Sequence, residues 1–343
     1  MERQLATIRT INKLVSIDGA DFIELAIIDG WQCIVKKGEF QVNDKCVYFE
    51  IDSLLPINEH FEFLSKGNKP KTNQDGTIGY RLKTIRLRKE LSQGLALPTA
   101  EFEELKNIEI GDDVTEILNI VKYEPPLPSD STFRAKGNYP IFLNKSDESR
   151  IQNLSRNIQI FKNKNIKFRV SEKLDGSSAT FYLHNGEFGV CSRNWDLDFD
   201  ENNMYWQCAI QYNIEENMRD FSIKNDLESF AIHGELIGEG IQNNIYQLKG
   251  RELRMYYLYD INNMEYSDRL FDEFVFRYDM KICPILNAGI TLNDFIDTNS
   301  ILEFAEGKSQ LNEVEREGVV FQSPNREYHF KAISNKFLLK EKD

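Results

Sequence analysis

The sequence has no long apolar run and no pairing pattern among its cysteines. No stretch approaches the length of about 20 apolar residues that crosses a membrane, and the first residues lead into an alternating strand instead of a signal peptide. We therefore expect an intracellular protein, in the cytoplasm or the nucleus, that is not secreted and has no membrane partner. The cysteines are odd in number and never form Cys-x-x-Cys, which argues against a disulfide framework and against a zinc site. They are Cys33, Cys46, Cys191, Cys208 and Cys283.

Basic residues are in the minority, with 42 Lys and Arg against 55 Asp and Glu and a net charge of −13. This balance argues against a protein that coats nucleic acid nonspecifically, but it leaves room for a local basic patch. Residues 65–89 form such a patch, in which Asp75 is the only acid. Its basic residues are Lys66, Lys69, Lys71, Arg81, Lys83, Arg86, Arg88 and Lys89. We interpret this basic stretch as a contact for a polyanion; the alternative is a charged strand edge that discourages aggregation.

Short strand patterns separated by turn signals fill residues 1–120. Asp29-Gly30 is a strong hairpin signal, and the one predicted helix covers 101–107. The predicted strands are 5–11, 23–28, 31–35, 46–51, 81–87 and 94–97. This density of short strands predicts a small β-barrel of the OB type. Because OB barrels commonly bind nucleic-acid strands, this prediction favours nucleic acid as the partner of the basic stretch.

A change of composition at 121–140 predicts a linker between two domains. Its prolines are Pro125, Pro126, Pro128 and Pro140. The second domain then covers 141–343 and opens with a predicted helix capped by Ser146 or Asp147. Further on, strands are predicted at 168–192, 230–236, 254–261 and 318–332, and helices at 203–218, 266–280 and 299–306. This pattern predicts an α+β domain with mostly antiparallel sheets.

One lysine stands at a break between two strands of this domain. The strand that ends at Glu172 is followed by Lys173-Leu174-Asp175-Gly176, and a second strand starts near Ala179. A lysine at such a break can reach into a cleft. An amine is a nucleophile only when deprotonated, and a free lysine has a pKa of about 10.4. If Lys173 is a nucleophile, its surroundings have to lower that pKa.

Further charged and aromatic residues lie at strand ends or on strands after Lys173. In order they are Arg193, Glu235, the pair Tyr257 and Tyr259, Glu317 and Lys331. Taken singly, each charge is more often a surface residue and each tyrosine a core residue. Together with Lys173, their order resembles the motifs of the covalent nucleotidyltransferase superfamily, which contains polynucleotide ligases and mRNA capping enzymes. This resemblance implies an ATP-grasp-like nucleotidyltransferase domain of antiparallel sheets flanked by helices.

The order of the two domains narrows the resemblance to one branch. The OB-type domain comes first, and 12 residues follow Lys331. This arrangement is similar to the ATP-dependent RNA ligases of the Deinococcus and Naegleria type. The strings at 146–153, 234–246 and 330–335 resemble the same ligases. One position departs from their pattern, since Ile333 stands where a second lysine is frequent, and Lys336 or Arg150 is our candidate replacement.

The resemblance implies a reaction in three steps and a set of roles. Lys173 attacks the α-phosphorus of ATP, AMP passes to a 5′-phosphate RNA end, and a 3′-hydroxyl displaces AMP. Lys331 is expected at the α-phosphate and Arg150 at the outer phosphates, where cations oppose the developing charge. Arg193 is expected at the ribose, the phosphates or the RNA terminus. Glu317 and Glu235 are candidate ligands of Mg²⁺ or Mn²⁺, and Glu235 is also a candidate for a ribose hydroxyl.

The adenine site is expected on the tyrosine strand and beside the lysine. Tyr257 and Tyr259 share one face of their strand, so either one can stack on the base. The resemblance adds Glu172, Asp175 and Gly176 to the nucleotide-binding residues. Burial, a metal ion and nearby cations such as Lys331 are all expected to lower the pKa of Lys173.

Three alternatives remain at this stage. A DNA ligase and an mRNA guanylyltransferase use the same catalytic scaffold, and a non-catalytic OB-type nucleic-acid-binding protein would carry a decayed one. For the ligase, the expected partners are RNA ends, including those of a nicked duplex, with the basic stretch 65–89 as the candidate contact. We expect the protein to be a monomer.

Overall fold

The computed structural model describes residues 3–126, 134–145, 147–155 and 157–340. The chain divides into two compact units, 1–129 with 339–343 and 130–338. The domain boundaries predicted at 120 and 140 stay predictions, and Pro128 of the predicted linker lies outside the described residues. Within the described chain, no helix combines the length and the apolar character needed to cross a membrane.

The N-terminal unit consists mainly of short antiparallel strands. They are β1 (Ala6–Thr10), β2 (Lys13–Ser16), β3 (Ile23–Ile28), β4 (Trp31–Lys36), β5 (Lys45–Phe49), β6 (Ser53–Pro56), β7 (Lys71–Thr72), β8 (Ile78–Arg81), β9 (Ile85–Leu87), β10 (Glu90–Ser92), β11 (Leu95–Pro98) and β12 (Val121–Lys122). They pair in the orders β1-β5-β11, β2-β3-β4, β12-β6-β8-β7 and β9-β10. Their buried side chains form one cluster around Phe49 and Phe61 and another around Trp31 and Tyr48. Short 3-10 helices lie at Glu62–Lys66 and Thr99–Glu101.

Most of the strands predicted for this unit are confirmed. The predicted strand 81–87 is divided into the end of β8 and the whole of β9. The Asp29-Gly30 hairpin is confirmed, with φ angles of 52° and 88° that match a two-residue loop of type I′. The predicted helix 101–107 is wrong. Phe102 and Leu105 enter the core through successive turns, so their spacing of three residues did not signal a helix.

The C-terminal unit alternates strands and helices. Its strands are β13 (Ala135–Asn138), β14 (Lys167–Lys173), β15 (Ser177–His184), β16 (Glu187–Cys191), β17 (Trp195–Leu197), β18 (Phe230–Gly238), β19 (Arg251–Asp260), β20 (Glu265–Tyr266), β21 (Ile285–Thr291), β22 (Gly318–Gln322) and β23 (His329–Ile333). Its helices are α1 (Ile158–Asn163), α2 (Met204–Gln211), α3 (Ile214–Asn225), α4 (Asp268–Arg277), α5 (Thr298–Ala305) and α6 (Asn335–Lys340), with 3-10 helices at Ile151–Leu154, Leu292–Asp294 and Pro324–Arg326.

Two sheets organise this unit, with strand orders β13-β17-β16-β15-β18-β19-β20 and β21-β14-β22-β23. The pairings between these strands are antiparallel. The first sheet packs on α2, α3 and α4 through side chains such as Phe181, Phe221 and Phe274. The second packs on α1 and α5 around Phe168 and Phe321. The predicted α+β architecture of antiparallel sheets flanked by helices is confirmed.

The helix predicted at 203–218 is two helices. They are α2 and α3, and Asn213 between them has a left-handed φ of 50° that ends the first helix. The Asn203 side chain accepts a hydrogen bond from the Tyr205 amide, which caps α2 where the prediction placed its start. Sequence periodicity therefore found the helical segment but not the break inside it.

The capped helix predicted from Ser146 or Asp147 is wrong where the structure describes it. Ser146 itself lies outside the described residues, and Asp147 forms an ion pair with Arg193 instead of a cap. The carbonyl of Ser149 accepts a hydrogen bond of 2.9 Å from the Lys331 amide. This contact holds the chain extended against β23, and helical structure begins only at the short 3-10 helix Ile151–Leu154.

Candidate active site

Lys173 lies where the two sheets of the C-terminal unit are joined. It is the last residue of β14 in one sheet, and β15 of the other sheet begins at Ser177. Along β14, Val170 and Glu172 are buried, so Lys173 points to the opposite side of its strand. The short turn between β14 and β15 therefore places the lysine at the junction of the two sheets.

Gly176 lets this turn lie directly against β18. A Cβ at this position would come within 2.6 Å of Glu235 Cγ and of the Leu236 carbonyl oxygen. Any other residue would push the turn away from β18. Gly176 therefore has a packing role that brings Lys173 and Glu235 together, and its predicted role in nucleotide binding stays a prediction.

Glu317 forms an ion pair with the predicted nucleophile. Lys173 Nζ donates a hydrogen bond of 2.7 Å to Glu317 Oε2, and both side chains are mostly buried. Glu317 directly precedes β22, where Gly318 is the register partner of Lys173. A Cβ on Gly318 would lie 2.2 Å from the Ala332 carbonyl oxygen, so glycine is required for β22 to pair closely with β23.

The groups of the protein itself raise the pKa of Lys173, whereas the predicted lowering by a bound metal ion stays a prediction. Burial lowers the pKa of this amine, but the carboxylates of Glu317, Glu235 and Glu148 raise it by more, so the pKa lies above its ordinary value. The protonated lysine is therefore the resting form, held by the ion pair with Glu317. Deprotonation requires those carboxylates to be neutralised by another cation.

The Glu317→Gln substitution should lower the pKa of Lys173, because it removes the charge that raises this pKa most. We expect Lys173 to react with an amine-acylating reagent at lower pH in the variant than in the unaltered protein. Mass spectrometry of the peptide that contains Lys173 measures this reaction. Glu306→Gln is the matched control, because Glu306 forms an ion pair of the same length, 2.7 Å, with another lysine, Lys336. An unchanged pH midpoint at Lys173 in Glu317→Gln would contradict the assigned cause of the shift.

Glu235 is the second carboxylate of the site. It lies on β18 opposite Ser178 of β15. Burial raises the pKa of Glu235 to about 8; Lys173 lowers it, and the like charges of Glu317 and Glu148 raise it further. This raised pKa favours the protonated form of Glu235. A cation bound beside Glu235 would restore the ionised form.

Carboxylate oxygens of this kind fit a divalent metal ion. Among the residues that the structure describes, no group of three or more His, Cys, Asp and Glu is close enough together to hold a metal ion by itself. Glu235 and Glu317 nevertheless act on the same amine. They can supply part of a hard-oxygen ligand set, with phosphate and water oxygens as the remainder.

Lys331 brings a second amine to the same place. Burial, followed by repulsion from Lys173, lowers the pKa of Lys331 to about 8. The backbone of Arg150 forms an isolated parallel β-bridge with Lys331, and the charge of Arg150 also lowers the pKa of Lys331. The predicted residues Lys173, Lys331 and Arg150 therefore form one group of cations, which suits the oxygens of a bound phosphate chain.

The structure favours Arg150 over Lys336 as the second cation near Lys331. Lys336 forms its ion pair with Glu306. Ile333 is buried, so the position of the missing lysine is part of the core. Arg193 lies further out, where its mostly exposed side chain donates a 2.8 Å hydrogen bond to Asp147 and its charge lowers the pKa of Glu235.

The two predicted adenine-stacking tyrosines are buried in protein contacts. Leu258 between them enters the core on the helical side, so Tyr257 and Tyr259 share the other face as predicted. Tyr257 is 1% exposed, with the Arg326 guanidinium 4.1 Å from the centre of its ring. Tyr259 is 5% exposed and lies within an apolar cluster. Neither ring presents an open face to a base.

Tyr256 is a better placed aromatic that the sequence analysis missed. The register of β18 and β19 shifts between His233 and Gly234, and this bulge turns Tyr256 toward the Lys173 side. Its ring packs on the cluster around Leu174, its hydroxyl lies 3.4 Å from Ser178 Oγ, and the side chain is partly exposed. Strict alternation assigns Tyr256 to the wrong face, and Gly234 was the only sequence signal of the bulge.

Glu172 acts through its buried carboxylate and Asp175 through its backbone amide. The Glu172 carboxylate is buried on the side of β14 away from Lys173, accepts a 2.9 Å hydrogen bond from the Gln310 amide and has a pKa raised by burial. The Asp175 amide donates a 2.7 Å hydrogen bond to the Tyr246 hydroxyl. These contacts fix the chain on both sides of Lys173, and the predicted nucleotide contacts of both residues stay predictions.

Glu148 is a carboxylate of the site that the sequence analysis did not select. Its side chain is 12% exposed and accepts a 3.1 Å hydrogen bond from Arg326 Nη2. Its charge shifts the pKa values of Lys173, Glu235 and Lys331. Glu148 belongs to the string 146–153, whose pattern predicts a capped helix. That prediction does not place Glu148 next to Lys173.

Comparisons with known proteins identify both parts of the chain. A family model for RNA ligases matches residues 166–340, and a model for an OB-fold domain matches residues 5–99. A structure of a Naegleria gruberi RNA ligase variant with AMP and manganese is 40% identical, with a TM-score of 0.83 over 99% of this chain and 99% of that one. A search of curated proteins found no match.

Two further structures of the same Naegleria ligase show the same similarity. A variant with ATP and manganese is 40% identical, with a TM-score of 0.82 over 98% of this chain and 99% of that one. The ligase with pyrophosphate is 40% identical, with a TM-score of 0.82 over 99% of both chains. The predicted OB-type domain followed by a ligase domain is confirmed, and the chain belongs to the RNA ligase family.

Proposed function

We propose that this protein joins RNA ends with ATP through a lysine–AMP intermediate. The Lys173 amine loses a proton and attacks the α-phosphorus of ATP, so that an N–P bond forms and pyrophosphate leaves. A 5′-phosphate oxygen of RNA then takes the AMP, and the N–P bond breaks. Finally a 3′-hydroxyl attacks the 5′-phosphorus, which forms the phosphodiester bond and releases AMP.

The observation that carries this proposal is the arrangement of charges around Lys173. The lysine is paired with Glu317 at 2.7 Å, and burial, together with the charges of Lys173 and Arg150, lowers the pKa of Lys331. A nucleophile, an acid that holds it and cations for the phosphates are thus collected at one junction. The Naegleria relatives carry ATP or pyrophosphate, which are the substrate and the leaving group of the proposed first step, or AMP, which the proposed last step releases.

Each neighbouring residue has a proposed part in the first step. Lys331 and Arg150 oppose the negative charge that develops on the α-phosphate and on pyrophosphate. Tyr256 stacks on the adenine in place of the two buried tyrosines, and Arg193 contacts the ribose, the phosphates or the RNA end. Glu235 and Glu317 hold Mg²⁺ or Mn²⁺, which supplies positive charge beside the lysine and so lowers its pKa.

The RNA itself is proposed to contact the basic stretch of the N-terminal unit. Within this stretch, Arg81 is already engaged, because it forms a 2.6 Å ion pair with Asp52 and lies over the Tyr123 ring. Lys83, Arg88 and Lys89 are exposed. We propose RNA ends as the substrate, including those of a nicked duplex, whereas the monomeric state and the intracellular location stay predictions of the sequence.

The proposed function is tested with labelled ATP. Purified protein incubated with α-labelled ATP and Mg²⁺ or Mn²⁺ should carry acid-labile AMP on the peptide that contains Lys173. Added RNA with a 5′-phosphate and a 3′-hydroxyl should then be joined. GTP and DNA ends in parallel reactions test the guanylyltransferase and DNA ligase alternatives. No adduct with either metal ion would refute nucleotidyl transfer, and an adduct without joined RNA would refute RNA as the substrate.

A further inference from the structure

The hairpin of β9 and β10 has an unusual loop sequence for its backbone. Leu87 and Glu90 are register partners, so the loop consists of Arg88 and Lys89 alone. Both residues are left-handed, with φ angles of 54° and 69°. A two-residue loop with two positive φ angles is of type I′, which strongly prefers Asn-Gly, Asp-Gly or Gly-Gly. Residues with long side chains are strained in this conformation.

Two other hairpins of the described chain have the same loop geometry with the favoured residues. Asp29-Gly30 connects β3 to β4 with φ angles of 52° and 88°, and Asn185-Gly186 connects β15 to β16 with 51° and 79°. The chain therefore uses Asx-Gly at two loops of this type and two cations at the third. Backbone strain that persists in a fold is concentrated at functional positions.

Hydrogen bonds to β4 hold the base of this hairpin, whereas the two cations at its tip are exposed. Ser92 Oγ accepts a 3.0 Å hydrogen bond from the Ile34 amide, and the Gln93 amide donates a 2.7 Å hydrogen bond to the Gln32 carbonyl. Arg88 and Lys89 are exposed, and in the part of the chain that the structure describes neither side chain forms a hydrogen bond or an ion pair. They thus differ from Arg81, whose charge is neutralised by Asp52.

We propose that the Arg88-Lys89 loop is a contact for the phosphodiester backbone of RNA, and that the chain retains two cations there at the expense of hairpin stability. This inference rests on the proposed function, because it assumes that RNA is the substrate. A fixed hairpin that presents two unpaired cations suits a phosphate chain. Such contacts are independent of base sequence and strongly dependent on salt.

The double substitution Arg88→Asn, Lys89→Gly tests the proposal by introducing the chain's own Asn185-Gly186 loop. Thermal unfolding should occur at higher temperature, because the strain is relieved. Joining of RNA at low substrate concentration should fall about tenfold, and the slope of log binding constant against log salt should flatten by about 1.4 to 1.8 for two lost contacts. Adduct formation with ATP should be unchanged, because this step does not involve RNA.

Two further variants separate charge from backbone. Arg88→Gln, Lys89→Gln removes the charges and keeps the strained conformation, so it should weaken RNA binding equally without any gain in stability. Lys36→Gln, Lys37→Gln removes the same charge from exposed lysines of the N-terminal unit outside the basic stretch and should leave the salt slope unchanged.

The inference is overturned if the Asn-Gly variant binds and joins RNA as well as the unaltered protein. It is also overturned if the Lys36, Lys37 control loses as much binding, because the effect would then reflect net charge. An unchanged unfolding temperature in the Asn-Gly variant would refute the strain. If the unaltered protein forms the AMP adduct but joins no RNA, the proposed function fails instead.

Discussion

Lys173→Met should abolish the covalent AMP adduct and leave the protein folded. Methionine has nearly the length of lysine but no amine, so it can fill the space without attacking ATP. The substitution also removes the cation that pairs with Glu317 and lowers the pKa of Glu235. We therefore expect no labelled protein after incubation with α-labelled ATP, and a cooperative thermal transition that shows an intact fold.

Two measurements make the Lys173→Met result specific. RNA that already carries AMP on its 5′-phosphate bypasses the lysine, so the variant should still join it to a 3′-hydroxyl. Lys167→Met is the matched control, because Lys167 is an exposed lysine on the same strand, β14. Normal adduct formation in Lys173→Met would refute the nucleophile, and loss of the adduct in Lys167→Met would show that the strand, not the amine, is responsible.

The parts of the site that depend on local sequence were predictable. The strand, the small-residue turn and the restart around Lys173 are visible in the sequence, and β14 and β15 confirm them. Glu317 and Glu235 could be selected because their order along the chain resembles the motifs of the superfamily. The order of these residues resembles the covalent nucleotidyltransferase superfamily, and the order of the two domains narrows the resemblance to RNA ligases.

The parts that depend on tertiary pairing were not predictable. Tyr256 reaches the Lys173 side only because of a bulge between β18 and β19, and period-two alternation assigns it to the opposite face. Glu148 reaches the site because the neighbouring Ser149 carbonyl accepts a hydrogen bond from the Lys331 amide. This long-range contact overrides the local capping signal. A single sequence contains neither pairing.

The direction of the Lys173 pKa shift illustrates the same limit. Sequence reasoning counted the expected cations and burial, both of which lower the pKa of an amine. The structure adds the nearby carboxylates of Glu317, Glu235 and Glu148, whose charges together outweigh the effect of burial on this pKa. Electrostatic shifts depend on distances of a few ångströms, which the order of motifs does not provide.

Arg326→Met should destabilise the C-terminal unit and disturb the site at once. Arg326 is 4% exposed, and its guanidinium lies 4.1 Å from the centre of the Tyr257 ring and 3.1 Å from Glu148. Removal of one partner from a buried ion pair costs about 3–5 kcal/mol, because the other charge stays buried and unpaired. For a domain of this size, the unfolding temperature should fall by about 6–20 °C.

Arg326 also lowers the pKa of His329, which provides a second readout. Burial, and then the charge of Arg326, lower the pKa of His329 to about 4. Without the guanidinium this pKa should rise toward its ordinary value, as measured by the NMR titration of the His329 ring. Because the pKa of His329 is about 4 in the fold and 6.5 in its ordinary state, the fold loses stability as the pH falls from 6.5 to about 4, and removal of Arg326 should make this loss smaller.

Glu148→Gln separates the two effects of Arg326 on stability and on the site. The amide of glutamine can still accept the hydrogen bond from Arg326 but carries no charge to act on Lys173 and Lys331. We expect a smaller loss of stability than in Arg326→Met, together with a changed pH profile of adduct formation. If Arg326→Met unfolds at the temperature of the unaltered protein, the guanidinium does not hold Glu148 in place. If the pH profile is also unchanged in Glu148→Gln, that carboxylate lies outside the reacting site.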